Sequence, residues 1–308
     1  MVFAKEVFIM MKKKLFKKGL STVLLVVSAI TLHAQQQLEN TMSQYFHNRI
    51  LLNPAYTGID GNKLYALQNR SYLQFEGAPV MNSISGEVLF GQNSALGIQV
   101  LNDKSGALIR SIGAINYAYR VQVGEEKYIR LGVALAFNSD RLNAAMLRPA
   151  SLSDPAVQAN LTEQKMYDAN FGIVYNSKKT DLFLSVNRIG NNLQSEWQIA
   201  NLSYLNLGVS YSIFLDANEK IIFKPISILH LYRSTWAVAD FGLQLNFNQG
   251  INGMAIYQTS GNIKAGAGIK ISGAAEANFY YHTNYQQANT FSQQFEIGLG
   301  VYLGGKKK

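Results

Sequence analysis

The chain has no cysteine among its 308 residues, which excludes disulfide frameworks, zinc ribbons and cysteine nucleophiles at once. Charge is scarce too: Asp, Glu, Lys and Arg make up 15% of the residues and apolar types 48%, too apolar a balance for a disordered chain. There are only 5 prolines, against 25 glycines, 17 tyrosines and 16 phenylalanines. With so little charge, this composition points to a β-rich protein with a lipid-facing or two-faced surface and away from an ordinary soluble enzyme.

The net charge of +9 resembles a nucleic-acid signal until it is located. Six of the bases and one acid fall within residues 1–34, and the remaining 22 bases and 18 acids leave +4, three of which are Lys306, Lys307 and Lys308. No basic face is left to neutralise phosphates, so no nucleic-acid partner is expected. The early charge has another meaning. Lys12, Lys13, Lys14, Lys17 and Lys18 precede the apolar run 20–32, which ends near Ala34: the pattern of a secretory signal peptide over residues 1–34, with Met11 a better start than Met1.

Long apolar runs are missing after that point. No stretch approaches the roughly 18 to 20 residues that a membrane-spanning helix needs. An exported chain of this kind is either soluble or crosses a membrane as a closed barrel, the strand-built form that satisfies every backbone group in lipid.

What is present is a period of two. Over 127–139 one parity reads Ile129, Leu131, Val133, Leu135, Phe137 and the other Arg130, Gly132, Ala134, Ala136, Asn138. The last run sets Phe295, Ile297, Leu299, Val301 and Leu303 against Gln294, Glu296, Gly298 and Gly300. A soluble β-sandwich also alternates, but polar faces that mix Gly and Ser with Arg and Glu suit a wet lumen better than a dry core. Tyrosines near strand ends, among them Tyr65, Tyr117, Tyr119, Tyr167, Tyr280 and Tyr302, suit an interfacial aromatic girdle.

Turn signals divide the chain into fourteen strands between Asn62 and Leu303, so the expected fold class is all-β, a transmembrane up-and-down antiparallel β-barrel of about 14 strands with a short N-terminal pre-barrel segment. The expected division is 1–34 signal peptide, 35–61 pre-barrel plug or strap, 62–303 outer-membrane barrel and 304–308 basic tail. Within 35–61, Leu38, Met42, Phe46 and Ile50 recur at helical spacing, which suits a short plug helix or a packed periplasmic strap as well as a flexible lead-in. Pro225 lacks a donor for its ladder and demands a bulge or a later strand start. Strand parity puts the connections 140–165 and 190–202, the two longest, on one side and the short turns on the other, as short periplasmic turns and long outer loops require.

Chemistry is sparse. His33, His47, His230 and His282 are isolated, without the spacing of a zinc site. No Gly-x-Ser-x-Gly elbow occurs. No catalytic residue, metal ligand or cofactor site is assigned, and the chain is not expected to be an enzyme. Arg110, Arg120, Arg130, Arg188, Asp240 and Glu296 fall on lumen parities, where they line a pore or pair with one another.

At the N-terminal end, Gln44, Tyr45, Phe46 and then Asn53, Pro54, Ala55, Tyr56, Thr57, Gly58 resemble the opening motif of the PorP/SprF family of Bacteroidetes outer-membrane proteins. Arg70 and Ser71, then Phe75, Gly77, Ala78 and Pro79, then Asn102, Asp103, Lys104 and Gly106, and Asp154, Pro155 and Ala156 extend the match. The last strand also resembles the C-terminal assembly signal of outer-membrane barrels. The resemblance implies a barrel of the type IX secretion and gliding apparatus, located in the cell outer membrane and embedded in its lipid. It further implies a role in secreting or anchoring a large surface protein with a C-terminal sorting domain, together with periplasmic components of the machine. A channel for a small solute is the alternative.

The loop of about 26 residues at 140–165 exceeds what a simple connection needs. With 190–202 on the same side, its Leu152, Asp154, Pro155, Val157 and Leu161, joined by Trp197 and Ile199, are the expected partner-binding residues, since a loop tryptophan is a good hot-spot anchor.

Overall fold

The computed structural model describes residues 44–71, 77–147, 157–158, 161, 164–192, 203–232, 237–248, 250–284 and 293–304. Segments 1–34 and 305–308 lie outside them. Among the described residues no helix is long and apolar enough to cross a membrane. The strands are β1 (Lys63–Ser71), β2 (Val80–Phe90), β3 (Ser94–Ser105), β4 (Leu108–Gly124) and β5 (Lys127–Leu142). After them come β6 (Gln164–Ser177), β7 (Thr180–Asn187), β8 (Tyr204–Tyr211, resumed at Ile213–Phe214) and β9 (Ile221–Tyr232). Next follow β10 (Ala237–Phe247), β11 (Ile251–Gln258), β12 (Asn262–Ile271), β13 (Ala275–Asn284) and β14 (Gln294–Tyr302).

Each strand pairs antiparallel with its sequence neighbours, and β14 returns to β1 with Lys63 opposite Tyr302 and Ser71 opposite Gln294. The result is a closed fourteen-strand barrel without an edge. Lipid offers no hydrogen bonds, so closure is what lets strands cross it.

The period of two becomes an inside-out burial pattern. On β1 inward and outward residues alternate without exception over nine positions. Outward, Ile115 and Leu135 are 65% and 73% exposed; inward, Asp240 and Glu296 are 0% exposed. Exposed aliphatic side chains on the outer parity of a closed barrel define the lipid face.

Three details differ from the sequence reading. Pro225 causes no bulge: β9 keeps its register with β10 straight through it, Pro225 facing Leu243. The ladder opens instead on the other side, where β8 pairs with β9 from Ile226 onwards and again at Phe223 and Ile222, and is interrupted opposite Pro225 and Lys224. Proline lacks only the donor, so only the neighbour on the donor side loses a rung. Ser212, at that gap, donates its N–H to Lys179 O at 2.7 Å. Second, β5 runs on to Leu142, past the expected end at Ser139, because Arg110 of β4 clamps Asp140 with two hydrogen bonds of 2.9 Å. Third, Tyr65 and Tyr280 are buried in the lumen and Tyr302 donates to Glu276 Oε2 at 2.8 Å. Their parity points inward, and only Tyr117, Tyr119 and Tyr167 of those six stand exposed on the outside.

The short turns that follow β4, β8 and β10 share the end of the barrel where β1 begins and β14 finishes, and Glu126, Glu219 and Asn248 take positive φ there. That conformation matches the twist of tight hairpins. The connections after β5 and β7 leave from the opposite end.

Candidate functional site in the barrel lumen

The dry core of this protein lies inside the barrel. Helix α1 (Gln44–His47) and two 3-10 turns, Arg49–Leu51 and Pro54–Tyr56, carry Tyr45, Leu52, Ala55 and Tyr56 into a cluster with Val174, Phe183, Ile226, Ile228 and Ile256 of the inward wall. Tyr45 stacks on Phe183 with ring centres 5.8 Å apart, and Tyr56 meets the same ring edge-on at 5.6 Å, both favoured aromatic geometries. Of the helical spacing, Phe46 falls within α1 and Ile50 within the first 3-10 turn; Leu38 and Met42 lie outside the described residues.

Every residue of the Asn-Pro-Ala-Tyr-x-Gly motif has a physical reason. Asn53 caps the second turn, its Oδ1 accepting from Ala55 N at 2.8 Å, while Nδ2 donates to Leu184 O at 3.0 Å. Pro54 occupies the first position of the turn, where its fixed φ fits and its missing donor costs nothing. Ala55 is fully buried with its backbone against the wall: a Cβ on Gly132 of β5 would lie 2.2 Å from Ala55 N. Tyr56 donates to Asp181 Oδ1 at 2.9 Å. Gly58 takes φ +72°, donates its N–H to Glu87 Oε2 at 2.6 Å, and a Cβ there would lie 2.4 Å from the Cβ of Ala95; only glycine meets both demands.

The wall is shaped to receive this turn. Ala118, Gly132, Gly172, Ser185 and Asn206 stand in one register row across β4 to β8. Small residues on consecutive strands make a shallow seat. A Cβ on Gly172 would lie 1.8 Å from Asn53 Oδ1, and one on Gly97 of β3 2.6 Å from Ile50 Cδ1. Polar side chains then fasten the backbone of the inner segment: Arg130 donates to Ala55 O at 2.9 Å and Thr57 O at 2.6 Å, Ser185 to Leu52 O at 3.1 Å, and Lys63 to His47 O at 2.5 Å.

Asp181 is the electrostatic centre of the seat. It accepts from Tyr45 at 3.3 Å, from Tyr56, and from Arg49 at 3.2 Å, and Arg49 also bonds Asp60 at 3.0 Å. Burial opposes the Arg49 charge, but Asp60 and Asp181 outweigh it and hold the guanidinium above its ordinary pKa. Burial, and then the Asp181 charge, push the Tyr45 phenol up; burial and Tyr45 do the same to Tyr56. Both stay neutral donors. His47 is pushed down from 6.5 to about 3 by burial and by the nearby Lys63 charge, so it sits in the lumen as the neutral imidazole.

Several other lumen charges are matched within the wall. His230 bridges Asn206 at 2.6 Å and Asp240 at 2.7 Å, Lys63 pairs with Glu276 at 2.6 Å, and Asn69 donates to Glu296 at 3.3 Å. With the Arg110–Asp140 clamp, these groups are paired structure, while Arg120 donates to Gln92 O at the short-turn rim. Among the described residues no group of three His, Asp or Glu side chains is placed to hold a metal.

The structure separates the motif residues into two places. Asn53, Pro54, Ala55, Tyr56 and Gly58 share the lumen seat. Arg70, exposed on the outward face of β1, and Gly77 and Pro79, in the β1–β2 connection, lie towards the other end. There Gly77 O accepts from Gly106 N and Pro79 O from Ser71 N, both at 2.9 Å. Of the expected partner-binding residues, Leu152, Asp154, Pro155, Trp197 and Ile199 lie outside the described residues, and Val157 and Leu161 are half-buried. Sequence reasoning missed Asp181, Glu87 and the glycine seat; glycines recurring on the inward parity of β3, β5 and β6 were the available signal.

A closed barrel with an aliphatic outer wall and its own N-terminal segment docked in a charged lumen is a transmembrane β-barrel protein. A family model described as type IX secretion system membrane protein PorP/SprF matches residues 34–301. The chain belongs to that family, as its Asn53–Gly58 motif led one to expect, and its place is the outer membrane. No curated protein matches it in sequence. Among solved structures, it is similar to the CymD monoaromatic hydrocarbon channel (14% identity, TM-score 0.49, covering 82% of this chain and 91% of that one). It is also similar to the Pseudomonas putida toluene transporter TodX (11%, 0.48, 83% and 92%) and to Acinetobacter baumannii Omp33 (6%, 0.49, 79% and 98%).

Proposed function

We propose that this barrel is a binding and assembly protein: it supports the secretion and cell-surface anchoring of a large partner protein with a C-terminal sorting domain, within the type IX secretion and gliding apparatus. The role is one of binding, not catalysis, and periplasmic components of the secretion machine are further partners. The observation that carries the reading is the occupied lumen. A solute channel needs an open path, whereas here residues 45–57 are packed and hydrogen-bonded between the walls through Asp181, Arg130, Ser185 and Lys63. A barrel filled in this way acts through its ends. On this reading the end with the chain termini and short turns faces the periplasm, and the two long connections face outward and hold the partner through Leu152, Asp154, Pro155, Val157, Leu161, Trp197 and Ile199.

Deletion of the chromosomal gene is expected to abolish surface display of one or a few large proteins while small-solute uptake stays intact. An unchanged surface proteome with impaired uptake of one nutrient would establish the channel reading instead.

A further inference from the structure

The outward faces of β6 to β9 carry a local dip in the wall. On β2, β4 and β5 the lipid-facing side chains stand clear, with Ile84 at 64% exposure beside the Ile115 and Leu135 values above. On β6 to β9, Tyr175, Leu184, Ser227 and Leu229 are half-exposed beside exposed Leu182 and Val209, and the strands shape an open, outward-facing apolar hollow of about 550 Å3. The register explains its shape. Ile173, Leu184, Leu207 and Leu229 form one row across the four strands. Tyr175, Leu182, Val209 and Ser227 form the next, and this second row ends on a serine where a large aliphatic side chain would complete the wall.

Lysines stand close to the hollow at the terminus-side rim. Lys178 and Lys179 make the β6–β7 turn, three residues after Tyr175 and three before Leu182, and Lys220 directly precedes β9, seven residues before Ser227. The two turns touch: Lys178 pairs with Glu219 at 2.7 Å, its ammonium lies 5.6 Å from the Phe214 ring, and Ser212 N reaches Lys179 O. Asp216 is engaged by the backbone N–H groups of Asn218 and Ile221. With Glu219 on Lys178 and Asp216 on its own turn, the exposed Lys179 and Lys220 supply the positive charge of this rim.

We propose that the hollow is a binding site for one phospholipid of the terminus-side leaflet, its acyl chains lying across the two apolar rows and its phosphate on Lys179 and Lys220. The size lies within the range of ligand sites, and lysines beside apolar membrane surface are the usual partners of lipid phosphates. The hollow occupies only two residue rows, beside the rim on β6 and β7 and at mid-strand on β9. A membrane-spanning partner helix would require a groove over the full height of the wall, whereas a ligand anchored at one leaflet fits what is there.

The test is native mass spectrometry of the full chain extracted from its outer membrane in mild detergent, followed by titration of delipidated protein with dipalmitoyl phosphatidylethanolamine. One retained phospholipid per barrel is expected. Ser227→Trp should lower occupancy at least tenfold and K179A/K220A severalfold, both with unchanged heat-modifiable mobility. Wild-type occupancy in Ser227→Trp, or loss of a co-purifying polypeptide in place of lipid, overturns the proposal. Should Ser227→Trp fail to assemble, the exposed lysine pair decides alone: wild-type occupancy in K179A/K220A overturns it.

Discussion

Removal of the Asp181 carboxylate is the sharpest probe of the inner segment. Asp181 is 4% exposed and receives three hydrogen bonds from residues of that segment, one of them from the Arg49 guanidinium. In Asp181→Ala, Tyr45 keeps Ser210 at 2.8 Å and Arg49 keeps Asp60, but Tyr56 loses its acceptor and a buried cation loses one of two counter-charges. Breaking a buried pair from one side costs about 3–5 kcal/mol; the retained Asp60 contact places the expected loss at the lower end, about 3 kcal/mol. At about 1.4 kcal/mol per factor of ten, release of the segment becomes roughly a hundredfold more frequent. The barrel itself, closed by its own ladders, stays intact. Hydrogen exchange of the amides from Tyr45 to Tyr56 and single-barrel conductance read this directly: protection falls about a hundredfold and transient openings appear, with Asp181→Asn intermediate because it keeps the acceptor without the charge. Unchanged exchange and conductance in Asp181→Ala would refute the claim that this carboxylate holds the segment.

Gly172→Ala drives a Cβ onto Asn53 Oδ1, whereas a Cβ on Gly113 or Gly253 meets nothing within 4 Å; protease cleavage between Asn53 and Gly61 should therefore rise in the first and stay at wild-type rate in the other two. His47 is held neutral when docked, with a pKa of about 3 against 6.5 ordinarily. The released segment then binds the extra proton, so docking is strongest above pH 6.5 and weakens as pH falls towards 3, by about 2 kcal/mol at pH 5. Exchange of the Tyr45–Tyr56 amides should follow that profile, and His47→Gln should flatten it. Replacing Trp197 with Ala and shortening 151–163 should leave heat-modifiable assembly unchanged and weaken capture of the secreted partner; wild-type capture in both variants would move the partner site to the lumen segment. The purified chain should be β-rich and require detergent, so a monodisperse product without detergent would contradict the lipid-facing wall.

The sequence by itself determined the barrel and its strand number. A lipid-facing wall favours apolar residues on alternate positions of its strands, so this constraint is written locally and repeatedly, as in 127–139, and an even strand count puts both barrel ends of the chain on one rim. The motif at Asn53–Gly58 was equally local, because capping, a proline at the first turn position and a left-handed glycine act within six residues. Only the tertiary structure decided what fills the lumen. Asp181 meets Tyr56 across 125 positions of sequence, Arg130 meets Ala55 across 75, and Ser185 meets Leu52 across 133. The seat is built from small and polar residues whose only mark in the sequence is glycine recurring on the inward parity of three strands. Strand parity tells such residues which way to face but not what will come to face them, since that depends on barrel closure bringing distant strands around one segment.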